Sequence, residues 1–320
     1  QRGINMPLYL GIDTSNYTTS AAVYCSETGE VGHRKKLLPV KQGSLGLKQS
    51  DAVFAHVKQL PQLVEELLFD VGEHPLAGVG VSVRPRDVEG SYMPCFLVGD
   101  LAAQTAAAVC HIPKYSFSHQ AGHIAAALYS AGRLDLLGKE FIAFHFSGGT
   151  TEYVHVLPHK EQVFATAIVG QSLDLKCGQA IDRVGKMLGL PFPAGRELDR
   201  LSLECGKSYT IKPTFKGNSC CVSGIENQCQ KLLSQGAPPQ EVARYCIEAV
   251  YAIVEQMAQN SQSQFPGLPM VFSGGVMSNT IIRQRITQKY GAAFAQPEFS
   301  ADNAAGIAVL AWVRGNGYEK

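Results

Sequence analysis

Apolar and polar positions along the chain predict two similar β-hairpins. Residues 8–31, LYLGIDTSNYTTSAAVYCSETGEV, pass from an apolar strand through a turn of Ser, Thr and Asn into a second apolar strand. Residues 141–158, FIAFHFSGGTTEYVHVLP, repeat this order about 130 residues further along the chain. Apolar runs on either side of small polar residues are typical of hairpins, and their repetition indicates a duplicated α/β domain.

The segments between and after the hairpins predict further elements. Helical periodicity covers residues 50–72, an apolar strand covers 76–83, and residues 95–112 predict a buried helix. The later part of the chain predicts helices at 178–190, 241–260 and 300–315, and a strand, a glycine loop and a helix within 269–288. From this order we expect an N-terminal lobe at residues 1–125 and a C-terminal lobe at 126–320, and the last helix is a candidate to pack back on the first lobe.

Composition is that of a globular protein and narrows the function little. Of 320 residues, 45% are hydrophobic and 17% are charged, and the net charge is +1, so no basic surface dominates the molecule. A basic stretch between Arg183 and Lys216 also contains Asp199 and Glu204, and it fits either a nucleic-acid-binding face or a solvated face. No apolar run reaches the ~18 residues of a membrane span, and no signal-peptide pattern is present. Nine cysteines without a CxxC pair indicate a reducing compartment. We therefore expect a cytoplasmic protein, and one that does not bind membranes.

Three turns of small residues are candidates for phosphate binding. DTSNYTTS and SGGTTE lie at the tips of the two hairpins, and FSGGVMSN, residues 272–279, follows a predicted strand and opens a predicted helix. Glycine lets the backbone approach a ligand closely, and consecutive N–H groups or a helix N-terminus favour an anion. Plain turns use the same residues, so structural turns and a clamp for a polyphosphate are alternatives.

His119 and His123 stand four residues apart in HQAGH and share one face of a helix. Such a pair is either structural or part of a metal site, which needs a third ligand; Asp302, in the turn before the last helix, can supply it. The same spacing occurs in the HExxH motif of zinc proteases, where a glutamate after the first histidine is the general base. Gln120 stands at that position and cannot take up a proton at neutral pH, which excludes this kind of protease.

Six motifs in this order resemble the TsaD/Gcp family along nearly the whole chain. They are GIDTSNYTTSAAV, HQAGHIAAAL, FSGGTTEYV, GQSLDLKCGQAIDRVGKMLGLPFPAG, SGGVMSNTIIR and ADNAAGIA. Members of this family are tRNA threonylcarbamoyladenosine transferases, once described as sialoglycoprotein endopeptidases, with a counterpart in the KEOPS complex. The resemblance implies an α/β protein of the actin-like ATPase fold, shared with sugar kinases and Hsp70, with two related lobes around a nucleotide cleft.

The resemblance also implies the residues of the site. His119, His123 and Asp302 match the metal ligands, for iron or zinc. The positions that match those holding ATP or the threonylcarbamoyl-adenylate are Ser147, Gly148, Gly149, Thr150, Asp182, Gly195, Gly274, Gly275 and Asn279. The implied reaction is transfer of the threonylcarbamoyl group to adenosine 37 of tRNA, with helper subunits of a transfer complex or a second copy in a homodimer as partners. The catalytic group is unassigned, with Asp13 and Gln179 as candidates.

The chain departs from the family pattern at several of these positions. The family motif GIETSCDET has Cys, Asp and Glu where this chain has Asn16, Tyr17 and Thr18, and GEAFDK has an acid where this chain has Gln179. Thr150 replaces the His or Asn of SGGHT and SGGNT, and VRPRDVEG replaces a GPGL segment. Loss of acids changes proton transfer and the charge beside a metal and a phosphate. An enzyme acting on this or another carbamoyl acceptor and a non-catalytic, ATP-binding assembly or regulatory subunit are therefore alternatives.

Overall fold

The computed structural model describes residues 6–15, 17–39, 47–300 and 304–316. Asn16 and Asp302 therefore lie outside the described residues. The chain divides into two compact units, the first with residues 1–139, 158–165 and 301–320 and the second with residues 140–157 and 166–300. The boundary expected at residues 125/126 falls inside a helix, and the last helix belongs to the first unit.

Two five-stranded sheets and one small hairpin contain the described strands. In chain order these are β1 Leu8–Ser15, β2 Thr18–Cys25, β3 Val31–Leu37, β4 Leu76–Arg84, β5 Lys114–Ser118, β6 Phe141–Phe146, β7 Thr151–His159, β8 Val163–Gln171, β9 Thr214–Lys216, β10 Ser219–Cys221, β11 Met270–Ser273 and β12 Ala293–Phe294. The sheet orders are β3-β2-β1-β4-β5 and β8-β7-β6-β11-β12. The antiparallel pairs β1–β2 and β6–β7 confirm the two predicted hairpins. Because β1 and β6 each have a parallel neighbour on the other side, the two sheets also show the predicted internal repeat.

The described helices include those that the apolar periodicity predicts and two, at Gly195–Leu203 and Gly224–Ser234, that it does not predict. They are α1 Gln49–Val71, α2 Phe96–Cys110, α3 His119–Ser130, α4 Cys177–Met187, α5 Gly195–Leu203, α6 Gly224–Ser234, α7 Pro239–Gln264, α8 Thr280–Tyr290 and α9 Ala305–Asn316. Short 3₁₀ helices cover Leu134–Leu136, Gly275–Ser278 and Pro297–Phe299. Within the described part of the chain, none of the helices is both long and apolar enough to cross a membrane.

In the first unit, helices pack on both faces of the sheet. Leu10 and Ile12 of β1 share a core with Leu60 of α1 and Val98 of α2. Helices α3 and α9 pack against each other, and α9 packs on β1 and β4. The last helix therefore completes the core of the first unit.

The prediction that α2 is buried is wrong for its outer face. Phe96 and Ala103 are buried against the sheet, but Leu97 is 55% exposed, Leu101 70% and Val109 74%. Its apolar residues surround the helix, so periodicity alone gave no sign that only one face packs. An apolar stripe of three side chains consequently faces outward on α2.

In the second unit, an aromatic stack joins adjacent strands. The ring centroids of Phe144 and Tyr153 lie 5.2 Å apart, those of Phe144 and Phe272 4.2 Å apart, and those of Phe272 and Phe294 5.0 Å apart. These rings share a core with the buried faces of α4, α7 and α8. The stack fixes the ends of β6 and β11, from which two of the small-residue turns leave.

Candidate functional site

The histidine pair lies at the beginning of α3, directly after β5. The hydroxyl of Ser118 caps this helix by accepting a hydrogen bond from the Ala121 amide at 3.2 Å. The rings of His119 and His123 have centroids 4.3 Å apart, and their Nε2 atoms are 2.9 Å apart. The spacing in the sequence therefore does place both imidazoles on one helix face, with one nitrogen of each ring converging.

Asp13, near the carboxyl end of β1, orients the first histidine. Its Oδ2 lies 3.0 Å from Nδ1 of His119, and its Oδ1 accepts a hydrogen bond from the hydroxyl of Ser82 on β4. Asp13 is fully buried. A carboxylate accepts hydrogen bonds, so the tautomer of His119 that fits this contact carries its proton on Nδ1 and offers a lone pair on Nε2. This contact makes Asp13 a positioning residue for the histidine pair.

The donor set fits a divalent metal ion. With Nε2 of His119 unprotonated, the proton between the two Nε2 atoms belongs to His123, and a metal ion would take its place. Imidazole nitrogens suit zinc and iron, and a carboxylate on the second ring nitrogen is the usual support for such ligands. The third predicted ligand, Asp302, lies outside the described residues. Among the residues that are described, no group of three or more His, Cys, Asp or Glu side chains is placed to hold a metal.

The segment VRPRDVEG makes hydrogen bonds to the start of α3. Asp87 accepts a hydrogen bond from the hydroxyl of Ser118 at 2.6 Å and pairs with Arg84 at 2.7 Å. The amide of Gln120 donates to the carbonyl of Pro85 at 3.0 Å. The segment that departs from the family pattern thus makes its own contacts, and these hold α3 in place.

In the second unit, the Ser147–Thr150 turn follows β6 and is closed by its own hydroxyl. Ser147 Oγ accepts hydrogen bonds from the amides of Gly149 at 3.3 Å and Thr150 at 3.1 Å. The Cβ positions of Gly148 and Gly149 face open space. The turn therefore presents bare backbone, as the prediction of a phosphate-binding turn requires.

Helix α4 begins against this turn. The Gly178 amide donates to the carbonyl of Ser147 at 3.1 Å, and a Cβ on Gly178 would lie 2.5 Å from the Gly148 nitrogen, so only glycine fits. The side-chain oxygen of Gln179 accepts from the Lys176 amide at 3.2 Å. Gln179, a candidate catalytic group, thus caps the helix, and an amide does this as well as the family's carboxylate.

Gly274 brings the third small-residue turn beside the second. It has a φ of +95° and follows β11, the parallel neighbour of β6. A Cβ at this position would lie 2.2 Å from the Phe146 carbonyl oxygen. Both the conformation and the contact require glycine. The strand and helix predicted around this turn are confirmed, with the 3₁₀ turn Gly275–Ser278 between them.

Asp199 is a residue of this region that the sequence analysis missed. Asn279 caps α8 by accepting from the Ile282 amide at 3.1 Å and donates through Nδ2 to Asp199 Oδ1 at 2.7 Å. Asp199 also accepts from the Thr280 hydroxyl at 2.8 Å. Asp182 similarly accepts from the Ala194 amide at 2.8 Å, which holds the bend before α5 and its first residue, Gly195. The only signal for Asp199 in the sequence was its place in a basic stretch.

The predicted residues are thus gathered in two places. The first unit brings together Asp13, His119 and His123, and the second places Ser147 and Gly148 beside the Gly274 turn. Asp182 and Gly195 are joined by the bend between α4 and α5. Direct ligand contacts at these positions stay a prediction.

Comparison with known proteins identifies the family. The family model described as TsaD, tRNA N6-adenosine threonylcarbamoyltransferase, matches residues 40–309. The chain belongs to this family. Three curated relatives called tRNA N6-adenosine threonylcarbamoyltransferase cover most of its length. A relative from Thermus thermophilus is 28% identical over 95% of this chain and 92% of its own. The relative from Legionella pneumophila (strain Lens) is 26% identical over 96% of this chain and 93% of its own. The relative from Methanopyrus kandleri is 25% identical over 88% of this chain and 81% of its own.

Solved structures show the actin-like ATPase fold that the motifs implied. Component A of (R)-2-hydroxyglutaryl-CoA dehydratase from Acidaminococcus fermentans has a TM-score of 0.54 at 14% identity, over 97% of this chain and 99% of its own. A ROK family glucokinase from Streptomyces griseus has a TM-score of 0.51 at 14% identity, over 95% and 99%. At these identities the likeness shows the fold alone. The predicted TsaD family, the fold and the transferase class are therefore confirmed.

Proposed function

We propose that the protein transfers the threonylcarbamoyl group of threonylcarbamoyl-adenylate to the N6 amine of adenosine 37 in tRNA. The observation that supports this most is the chain of contacts from Asp13 through His119 to His123, in a member of the TsaD family. A buried carboxylate that directs one imidazole nitrogen toward a second imidazole is the arrangement of a metal-binding pair.

His119 and His123 would hold the metal, iron or zinc, through their Nε2 atoms, with Asp302 as the third ligand. When bound, such an ion supplies a Lewis acid that polarises a carbonyl oxygen. Asp13 keeps the proton of His119 on Nδ1, and Ser82 keeps Asp13 in place. These contacts restrict the orientation of the His119 imidazole before a metal binds.

The second unit would hold ATP or the adenylate through its backbone. The bare backbone at Gly148 and the N-terminus of the Gly275–Ser278 turn offer N–H groups to phosphate oxygens. The first amides of α8 are instead taken by Asp199 and Asn279. Asp182 and Gly195 are the proposed contacts to the ribose or the acyl part. Asn279 would act through the helix that it caps.

The replacements at Gln179 and Thr150 are compatible with this function. Gln179 keeps the cap of α4 without a charge, and Thr150 keeps its amide in the turn. Nothing in the described residues favours another carbamoyl acceptor or a non-catalytic subunit. All nine cysteines are free thiols, which fits the reducing cytoplasm in which we place the reaction.

A protein partner is also proposed, either a helper subunit or a second copy of the chain. The exposed stripe Leu97, Leu101 and Val109 on α2, with Phe54 on α1 at 63% exposure, supports it. Sedimentation of the wild type and of Leu101→Glu, alone and with helper subunits, tests this surface. The assembly should dissociate in the variant.

The function is tested by product formation. Purified protein, loaded with iron or zinc, is incubated with threonylcarbamoyl-adenylate and an unmodified tRNA transcript that carries adenosine 37. Mass spectrometry of the digested tRNA should show threonylcarbamoyladenosine, and a transcript with guanosine at position 37 is the control. If the protein makes no product even with helper subunits, the proposed function is wrong.

A further inference from the structure

Phe192 is an exposed aromatic ring on a restrained bend of the second unit. It lies between α4 and α5, and 85% of its surface is exposed. Pro191 and Pro193 flank it in the sequence PFP. Because proline fixes its own φ angle, the backbone on both sides of the ring has little conformational freedom to lose when a ligand binds. Such a ring offers a flat apolar face to solvent.

Cationic side chains lie beside this ring. A pocket of about 240 Å³ is lined by Phe192, Leu190 and Pro191 together with Asp182, Arg183 and Lys186 of α4. Arg183 and Lys186 are three residues apart and share a helix face. Asp182 accepts from the Ala194 amide at 2.8 Å and is the one carboxylate against these two cations in the lining.

The two cations remain available to a ligand. Arg183 pairs with Glu226 at 2.9 Å, but its side chain is 55% exposed, so this pair is weakly held. Lys186 has no ion pair with any residue that the structure describes. Arg196, in the first turn of α5, is also exposed and lies four residues after the ring. The surroundings of the ring therefore attract an anion.

A second exposed phenylalanine has mainly carboxylates beside its ring. Phe69 on α1 is 87% exposed, and its pocket of about 420 Å³ is lined by Arg34, Glu65, Glu66 and Asp70. Three carboxylates against one guanidinium repel a phosphate. The two rings are similarly exposed, but of this pair it is Phe192 whose lining has more cations than carboxylates.

We propose that Phe192, Arg183 and Lys186 form a surface that binds the unpaired part of the RNA substrate, with a base stacked on the ring and a backbone phosphate beside the cations. Single-stranded RNA loops are recognised by stacking on aromatic side chains and by cations that follow the backbone. The proposal rests on the proposed function for tRNA as the substrate. It assigns the Phe192 surface as a place where the loop that carries the modified adenosine is held.

Fluorescence anisotropy of RNA binding to the full chain tests the surface without requiring catalysis. The probes are an unmodified anticodon stem-loop transcript and a duplex of the same length with no unpaired nucleotides. Phe192→Ala should weaken binding of the stem-loop about five-fold or more and leave duplex binding nearly unchanged, because stacking needs an unpaired base. Phe192→Trp should restore affinity, and Phe69→Ala, the matched exposed phenylalanine, should bind like the wild type.

Lys186→Ala adds an independent readout. It should lower affinity and reduce the slope of log affinity against log salt by about one, since one phosphate contact is lost. Equal stem-loop affinities of Phe192→Ala and the wild type would overturn the proposal. A loss of ATP affinity with unchanged RNA affinity would also overturn it, because the ring would then serve the nucleotide.

Separate outcomes distinguish this surface from the proposed function. Weaker stem-loop binding by Phe192→Ala in a protein that makes no threonylcarbamoyladenosine would keep the surface and reject the transfer reaction. A wild type that binds neither RNA, even with helper subunits, would contradict both the surface and the transfer reaction. Because Phe192 is exposed, its variants should unfold at the wild-type temperature.

Discussion

The two sheets share one strand order, but their carboxyl ends carry different chemistry. In the first unit, β1 ends in the buried carboxylate of Asp13, which reaches His119 on another element. In the second unit, β6 ends in the Ser147–Thr150 turn and β11 in Gly274, where side chains are small and the backbone is open. The strand ends of the first sheet therefore offer carboxylate and imidazole groups, and those of the second sheet offer backbone N–H groups.

This difference shows how a duplicated scaffold can take two kinds of ligand. Nitrogen ligands held by a second contact suit a metal cation, and bare backbone at strand ends suits a phosphate. If the account is right, a change in one unit should remove one ligand and leave the other. Variants in each unit test that separation.

The largest effect is expected for the double variant His119→Ala, His123→Ala. Both imidazole ligands disappear, so transfer activity should fall to the level of the reaction without protein, while ATP binding stays within about two-fold of the wild type. Product by mass spectrometry and ATP affinity by calorimetry measure the two outcomes. His111→Asn, at an exposed histidine with positive φ that asparagine tolerates, is the control.

Gly274→Ala should break the second unit's site. The added Cβ would collide with the Phe146 carbonyl, and the φ of +95° is itself unfavourable, so we expect a cost of order 1–3 kcal/mol and about ten-fold weaker ATP binding. Gly291→Ala has a φ of +60° but open space around its Cβ. Gly291→Ala should therefore lower the free energy of unfolding and leave ATP affinity unchanged. Equal ATP affinities of the two variants would speak against the Gly274 turn as a nucleotide site.

Asp13→Asn should weaken metal binding without abolishing it. Asparagine can accept from only one side-chain atom, so His119 is no longer held in one tautomer, and we expect a loss of roughly 10- to 100-fold in metal affinity. Titration with zinc and a competing chelator measures this. Asp70→Asn, at an exposed aspartate paired with Arg34, should match the wild type. An unchanged metal affinity in Asp13→Asn would contradict the positioning role of Asp13.

Ser147→Ala should give the smallest effect. It removes the hydroxyl that accepts from Gly149 and Thr150, and the net value of such hydrogen bonds is about 0.5–1.5 kcal/mol each. ATP affinity should fall a few-fold and metal affinity should not change. Ser234→Ala, at an exposed hydroxyl on α6, is the control for calorimetry. A loss of metal instead would contradict the separation.

Local patterns in the sequence predicted the hairpins and most of the longer helices, because these elements depend on neighbouring residues, but α5 and α6 were not predicted. The hairpins, the repeat and the convergence of His119 and His123 follow from periodicity and spacing. The outer face of α2 was misjudged because apolar residues surround that helix. Periodicity reports a preference for burial and does not report whether a neighbour covers the face.

Contacts between distant residues could not be predicted in this way. Asp13 and His119 are 106 positions apart, and Asp199 and Asn279 are 80 apart. Such pairs depend on how the strands and helices pack, which no local pattern encodes. Helix capping by Gln179 and Asn279 was also missed, since the same polar side chains serve ligands and helix ends.

Metal analysis of the purified protein, beside the double histidine variant and Gly274→Ala, tests the separation most directly. We expect near-stoichiometric iron or zinc in the wild type and in Gly274→Ala, and none in the double variant, which should still bind ATP. Absence of metal from all three after supplementation with iron or zinc, or its retention in the double variant, would contradict the histidine pair as a metal site.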